Sequence, residues 1–343
     1  MSFRFWRRVR LFPGVTLNLS KSNVSLSVGP PGAKYTFSRR GNRATVGAPG
    51  TGLYYTVQDP APGGAARAQR TGIRRGPVED RLDLNFLERL FVPAPERAFV
   101  DGLLALHRGD EAGALEHLEA APDEPDAAWL AGFLRMKHGP LETAERHLVT
   151  ALAGARRLGR LYRKYELAMQ LDLPITEEVT AHVQPCARGV RLGLAELHQA
   201  RGDLASARVS MRALLKQAPE DPVAKLSLAE LLLTEEGAGR READRVVRLA
   251  EGVTNETLVH AALLLYKGRA LSRLDFHRAA LETFTIALRR RKGRPEALLR
   301  QIRYERALAY EALGKRRRAK EEFERVYAEA PAFEDVAARL GVH

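Results

Sequence analysis

The chain has a single cysteine, Cys186, in 343 residues, so no intramolecular disulfide can form, which suits a reducing compartment. No unbroken apolar run approaches the roughly 18 residues that a membrane-crossing helix needs, and no such helix is predicted. The opening peptide "MSFRFWRRVRLFPGV" interleaves arginine with aromatics. It lacks the apolar stretch and small-residue cleavage site of a secretory signal, so a cytoplasmic location is expected.

Catalytic signatures are missing as well. No two histidines flank a glutamate at zinc-protease spacing, and no Gly-x-Ser-x-Gly elbow occurs. The nine histidines are scattered. His107, His117, His138 and His147 come closest together, but no cysteine or acidic cluster joins them, and they read as surface residues rather than metal ligands. His182 precedes Cys186 by four residues, yet Pro185 interrupts the register that would bring them together, so a buried, inert thiol is expected. The segment "VGAPGTGLYY" spaces Gly47 and Gly52 like a phosphate-binding loop. Leu53 and Tyr54 stand where that loop needs lysine and a hydroxyl, so a tight turn between strands is the better reading. No enzyme activity, cofactor or metal is expected.

Charge is abundant and uneven. The formal net charge is +13. Residues 1–80 hold 13 Lys and Arg against Asp59, Glu79 and Asp80, whereas the remaining residues hold 42 basic and 39 acidic side chains. A cationic end therefore precedes a nearly balanced body. Such an end either meets an anionic partner, such as nucleic acid or lipid headgroups, or keeps a small module soluble.

From residue 15 the apolar pattern has period two. Val15, Leu17 and Leu19, then Val24, Leu26 and Val28, then Ala33, Tyr35 and Phe37 alternate with polar residues, each run bounded by Gly, Pro, Asn or paired Arg. With "GNRATV" and "LYYTV" this predicts about five strands in a small antiparallel β-meander, residues 1–58. Residues 59–80, rich in Gly, Pro, Ala and Arg, read as a flexible linker. The peptides "MSFRFWRRVR", "PGVTLNLSKSNVSLSVG" and "GNRATVGAPGTGLYYT" together resemble a bacterial module known as domain of unknown function 4236, over about residues 2–57. Asn23 stands where that family has glycine. The resemblance implies a fold and a bacterial source, with Gly50 and Gly52 shaping the closing turn, and implies no activity.

From about residue 81 the period becomes 3.6, with helical stretches separated by Gly- or Pro-marked breaks. Ala195, Gly202, Ala207, Met211 and Pro219 recur at the same offsets as Ala307, Gly314, Ala319, Phe323 and Pro331, and Gly268, Ala280, Phe284 and Ala287 share the lattice. Small residues let paired helices cross closely, a large apolar residue fills the space between, glycine ends the first helix and proline follows the second. Weaker repeats carry Gly102, Gly109 and Ala114, then Gly132, Gly139, Ala144 and Leu148, then Ala243, Val247 and Ala250. This lattice resembles the tetratricopeptide repeat. The resemblance implies a right-handed all-α solenoid over 81–343, with six to seven helix pairs and a helix capping its C-terminal end. Residues 154–186 would be a degenerate helix pair or an insertion, the pair being favoured.

Solenoids of this family present a concave groove, lined by the first helix of each repeat, that holds a peptide or partner helix. The register puts Phe99, Leu103 and Leu106, then Trp129, Phe133 and Met136, at or beside that groove, or in the helix-packing core if it slips by one place. Arg269, Arg273, Gln301 and Tyr304 fall on the groove further along, where they would accept a carboxylate. The lysine and asparagine set that clamps chaperone tails is not found. The leading functional reading is a non-enzymatic scaffold that binds a protein or peptide, with the basic module localising it or promoting self-association. The alternative is nucleic-acid or anionic-membrane binding through Arg4, Trp6, Arg7, Arg8, Arg10, Lys34, Arg39, Arg40 and Arg43, with aromatics stacking on bases and arginines on phosphates.

Overall fold

A computed structural model describes the strand backbones of residues 15–20, 23–28, 33–38, 41–47 and 54–59, and, with side chains, residues 82, 89 and 91–342 apart from 168 and 235–237. Strands β1 (Val15–Ser20), β2 (Asn23–Val28), β3 (Ala33–Ser38), β4 (Gly41–Gly47) and β5 (Tyr54–Asp59) pair in chain order, each antiparallel to the next. The register sets Leu17 opposite Leu26, Thr16 opposite Ser27, and Thr36 opposite Arg43. Paired positions share a face, so the β1–β2 register keeps polar and apolar positions apart. The expected turn at Gly50 and Gly52 and the expected linker at 60–80 lie outside the described residues.

The chain divides into two compact units, residues 1–173 with 182–203, and residues 174–181 with 204–343. In the helical part of the first, α1 (Ala94–His107) packs on α2 (Glu111–Glu119) and α3 (Pro125–His138) on α4 (Leu141–Ala153). A short α5 (Arg160–Lys164) follows, then a hairpin of β6 (Leu171–Pro174) and β7 (Thr180–Val183), and α6 (Ala187–Ala200) packs against α4. The second unit holds the hairpin tip, α7 (Leu204–Gln217), α8 (Pro222–Thr234), α9 (Arg240–Leu249), α10 (Leu258–Arg273), α11 (His277–Leu288), α12 (Glu296–Ala312), α13 (Arg316–Glu329) and α14 (Val336–Leu340).

The repeat lattice is visible in the packing. A Cβ added to Gly102 would stand 2.7 Å from Leu118, one at Gly132 2.8 Å from Leu148, and one at Gly268 closer still to Phe284. Each pair is sixteen residues apart, so the small residue of a first helix admits the large residue of its second. Three of the first helices also end alike. Gly109, Gly202 and Gly314 take positive φ, and the next amide reaches back five residues, Asp110 to Ala105, Asp203 to His198 and Lys315 to Tyr310. These are Schellman closures, which favour glycine because it has no Cβ to clash. In the α10–α11 pair Asp275 takes that place at φ 67, with Phe276 bonded to Leu271. On α9 the fully buried valine is Val246, one place before the expected Val247.

The segment 154–186 does not form the helix pair favoured from its sequence. It holds one five-residue helix and the hairpin. Leu171, Leu173 and Ile175, then Val179, Ala181 and Val183, are all buried and alternate with more open positions, a period of two that belongs to strands.

Candidate partner-binding face

In the first unit the inserted segment covers the surface expected to be open. Asp126, in the first turn of α3, is fully buried and accepts hydrogen bonds from the Gly159 and Leu161 amides, the latter at 2.6 Å. Burial pushes its carboxyl up, against the pull of the two amides. Glu96, in the first turn of α1, accepts from the Tyr165 hydroxyl at 2.6 Å and pairs with Lys164. Anchored at both points, α5 lays Tyr162 across the first helices, its ring 5.0 Å from Phe99 and 5.9 Å from Trp129.

The apolar residues assigned to a groove are therefore core. Phe99 and Trp129 have no exposed surface, and Leu103, Met136 and Leu106 are buried with them. Phe133 is half-buried, 5.1 Å from Trp129, and lies in the space a Gly193 Cβ would need. The register alone could not reveal this, because the residue that closes the surface, Tyr162, comes from an insertion outside the repeat.

In the second unit the first helices leave a pocket of about 420 Å³. Leu233 and Thr234 at the end of α8, Tyr266, Arg269, Ser272 and Arg273 on α10, and Glu305 on α12 line it. On α10 the spacing 266, 269, 273 puts three of these side chains on one helical face. Arg269 donates to Glu305 at 2.6 Å, and its guanidinium lies 5.2 Å from the centre of the Tyr266 ring. Burial alone would lower the Arg269 pKa, but the Glu305 carboxylate together with Tyr266 and Glu178 outweighs it and the net shift is upward. The Tyr266 hydroxyl, pushed up by burial, donates to Glu230 at 3.1 Å.

Of the four groove residues expected here, two line the pocket and two do not. Arg269 is committed to Glu305. Arg273 is exposed at the pocket wall and enters no hydrogen bond or ion pair among the described residues; the surrounding walls and the neighbouring Arg269 disfavour its charge and outweigh the pull of Glu305. Gln301 is buried, 3.5 Å from Glu305. Tyr304 is buried too, its hydroxyl donating to Asp335 at 2.5 Å and its ring set edge-on to Phe323 and Phe333. It anchors the segment leading into α14. Glu305, which sequence reasoning passed over, is the acid that neutralises Arg269; lying one helical turn beyond Gln301, it was within reach of the same register.

Of the residues expected to bind anions, Lys34 and Arg43 lie on β3 and β4. Arg4, Trp6, Arg7, Arg8, Arg10, Arg39 and Arg40 lie outside the described residues. Among the described residues no group of three His, Cys, Asp or Glu could hold a metal ion, and no helix is long and apolar enough to cross a membrane.

Residues 3–56 match the family described as "Protein of unknown function (DUF4236)". No curated protein matches the chain. Among solved structures, the N-terminal domain of the EccA1 ATPase from the ESX-1 secretion system of Mycobacterium tuberculosis is 20% identical, with 72% of this chain and 88% of that one covered and a TM-score of 0.50. A thermophilic TPR protein of Thermus thermophilus is 15% identical, with 63% and 97% covered and a TM-score of 0.37. A tetratricopeptide repeat protein from Parabacteroides merdae is 15% identical, with 72% and 98% covered and a TM-score of 0.33. The chain thus carries a DUF4236 match over residues 3–56, and its fold is similar to that of the EccA1 N-terminal domain.

Proposed function

We propose that the protein is a non-enzymatic, cytoplasmic scaffold that binds a partner protein or peptide on the first-helix face of its second unit. The observation that carries this reading is Arg273, a cation with no hydrogen bond or ion pair among the described residues, on the wall of a pocket built by three successive first helices. A carboxylate of the partner would pair with it through charge-assisted hydrogen bonds, while Arg269, already neutralised by Glu305, shapes the pocket floor. The apolar face of the first unit, closed by α5, packs as core and does not compete for the partner.

The DUF4236 module would localise the scaffold or promote its self-association. The cation surplus of residues 1–80 favours a second role for it, binding nucleic acid or an anionic membrane surface, which salt would weaken steeply.

Capture from lysate of the source cells tests the main reading. Arg273→Glu should lose the proteins that the wild-type chain retains, by tenfold or more for a charge-assisted contact turned repulsive. Arg278→Glu, the same change at an exposed site on the second helix α11, should keep them. Equal retention by both variants would remove the pocket from the account.

A further inference from the structure

The connections that run from a second helix to the next helix of the stack share one charge pattern, and one of them reverses it. Between α2 and α3 stand Asp123 and Glu124, between α7 and α8 Glu220 and Asp221, between α9 and α10 Glu251 and Glu256, and between α13 and α14 Glu334 and Asp335. None of the four holds a lysine or arginine. The pattern has a physical cause. Each connection leads into a helix N-terminus, where acids meet the positive end of the dipole, and Asp221 also accepts hydrogen bonds from the Val223 and Ala224 amides. Between α11 and α12 the sequence is instead "RRRKGRP", residues 289–295, with five basic residues and no acid.

Part of that charge is used inside the fold. The Asn255 side-chain amide donates to the Ile286 and Ala287 carbonyls at the end of α11, at 2.9 and 2.8 Å. Arg294 donates to the Asn255 side-chain oxygen at 3.2 Å, and Arg290 to the Glu256 carbonyl at 3.0 Å. The Arg294 amide closes a turn on the Arg291 carbonyl, with Gly293 at φ 73 in the position that favours glycine. The connection is thus held in place, and Arg289, Arg291 and Lys292 are left over. All three are exposed, and their side chains enter no hydrogen bond or ion pair among the described residues. Arg289 follows the last turn of α11, where a cation suits the carbonyl end of the dipole; Arg291 and Lys292 have no such role. Burial and the neighbouring Arg290 both disfavour the charge of Arg294, so the cations are crowded as well as unused.

We infer that the α11–α12 connection is a nucleic-acid site, at which Arg289, Arg291 and Lys292 pair with successive phosphates of a sugar-phosphate backbone. Guanidinium forks match phosphate oxygens, and a strand presents phosphates in a regular run, so neighbouring cations each find a partner. A Cβ at Gly293 would meet nothing within 4 Å, so the turn is open on that side and a phosphate can reach its backbone. Contacts of this kind hold a strand without reading its sequence. A lipid surface fits less well, because Leu288 is buried and residues 289–294 carry no aliphatic or aromatic side chain to enter a bilayer. The site is also separate from the pocket. Asn255 precedes α10 and Arg273 ends it, so the 16 residues of that helix, about 24 Å of rise, lie between the two.

Fluorescence anisotropy of the full chain with a fluorescein-labelled RNA strand of mixed sequence tests this. Arg291→Glu with Lys292→Glu should weaken binding about tenfold or more and reduce the slope of log affinity against log salt by about two. Arg212→Glu with Lys216→Glu makes the same change of charge at exposed positions of α7, and should leave that slope unchanged. An equal loss in both variants, or none in the first, would assign the RNA to overall charge or to residues 1–80 and overturn the inference, as would a wild-type chain that binds no RNA. Lost binding to phosphatidylserine vesicles in the first variant, with RNA binding intact, would reassign the connection to a membrane surface. If the first variant does not fold, judged by its thermal midpoint, Arg291→Gln with Lys292→Gln is read in the same way, with the same drop in slope expected.

Discussion

Gly268 shows how one position sets the spacing of a helix pair. Its missing side chain is the space that Phe284 occupies, since a Cβ there would overlap the ring, and Phe284 is itself fully buried. Gly268→Ala should therefore destabilise the chain by about 1–3 kcal/mol despite alanine's better helix propensity, because neither helix can move without disturbing its neighbours. Urea unfolding would measure it. Glu96 is a second case. Burial raises its carboxyl, but the hydrogen bonds from Lys164 and Tyr165 outweigh burial and hold it below the ordinary 4.5. A carboxyl lowered by folding stabilises fully above 4.5, and that contribution is lost as pH falls through the lower folded-state value. Glu96→Gln should be about 1.5–3 kcal/mol less stable at neutral pH, with the deficit shrinking below pH 4.5 in denaturation curves taken across the acid range. The Gly268–Phe284 spacing could be read from the repeat lattice in the sequence. The Glu96–Lys164 pair could not, since its partners are 68 residues apart and one of them sits in the insertion.

At the scale of elements, the helix pairs were legible because each repeat writes the same physical requirements at the same offsets, a small residue, a closing glycine and a large filler. The hairpin was harder to see. Its period of two runs for only a few residues on each side of "PITEEV", too short to outweigh the helical pattern around it, although Pro174 and the alternation of Leu171, Leu173 and Ile175 were the available signals. The choice left open for Phe99 and Trp129, groove or core, falls to the core for a related reason, since Tyr162 of α5 covers them. At the far end, α14 buries Val336 in a cluster with Tyr304, Phe323 and Val326, with Phe333 and Leu340 packed against it. Tyr304→Phe keeps the ring contacts but removes the hydroxyl that donates to Asp335. It should cost about 1 kcal/mol and speed exchange of the Gly341 and Val342 amides, which bond back into α14. Unchanged exchange there would mean that ring packing alone holds the helix.

Across the whole molecule the chemistry is unevenly placed. Net positive charge concentrates in residues 1–80, where acids are few, the first unit seals its first-helix surface with its own insertion, and the second unit keeps a pocket whose Arg273 has no hydrogen bond or ion pair among the described residues. The proposed partner face is the one that bears Arg273 at the pocket wall. Photo-crosslinking in the source cells tests that claim most directly, with a benzophenone side chain placed at Ser272 on the pocket wall or at Val209, 63% exposed on α7. The account predicts a discrete covalent adduct from Ser272 and none from Val209. An adduct from Val209 with none from Ser272 would place the partner on another surface and contradict it.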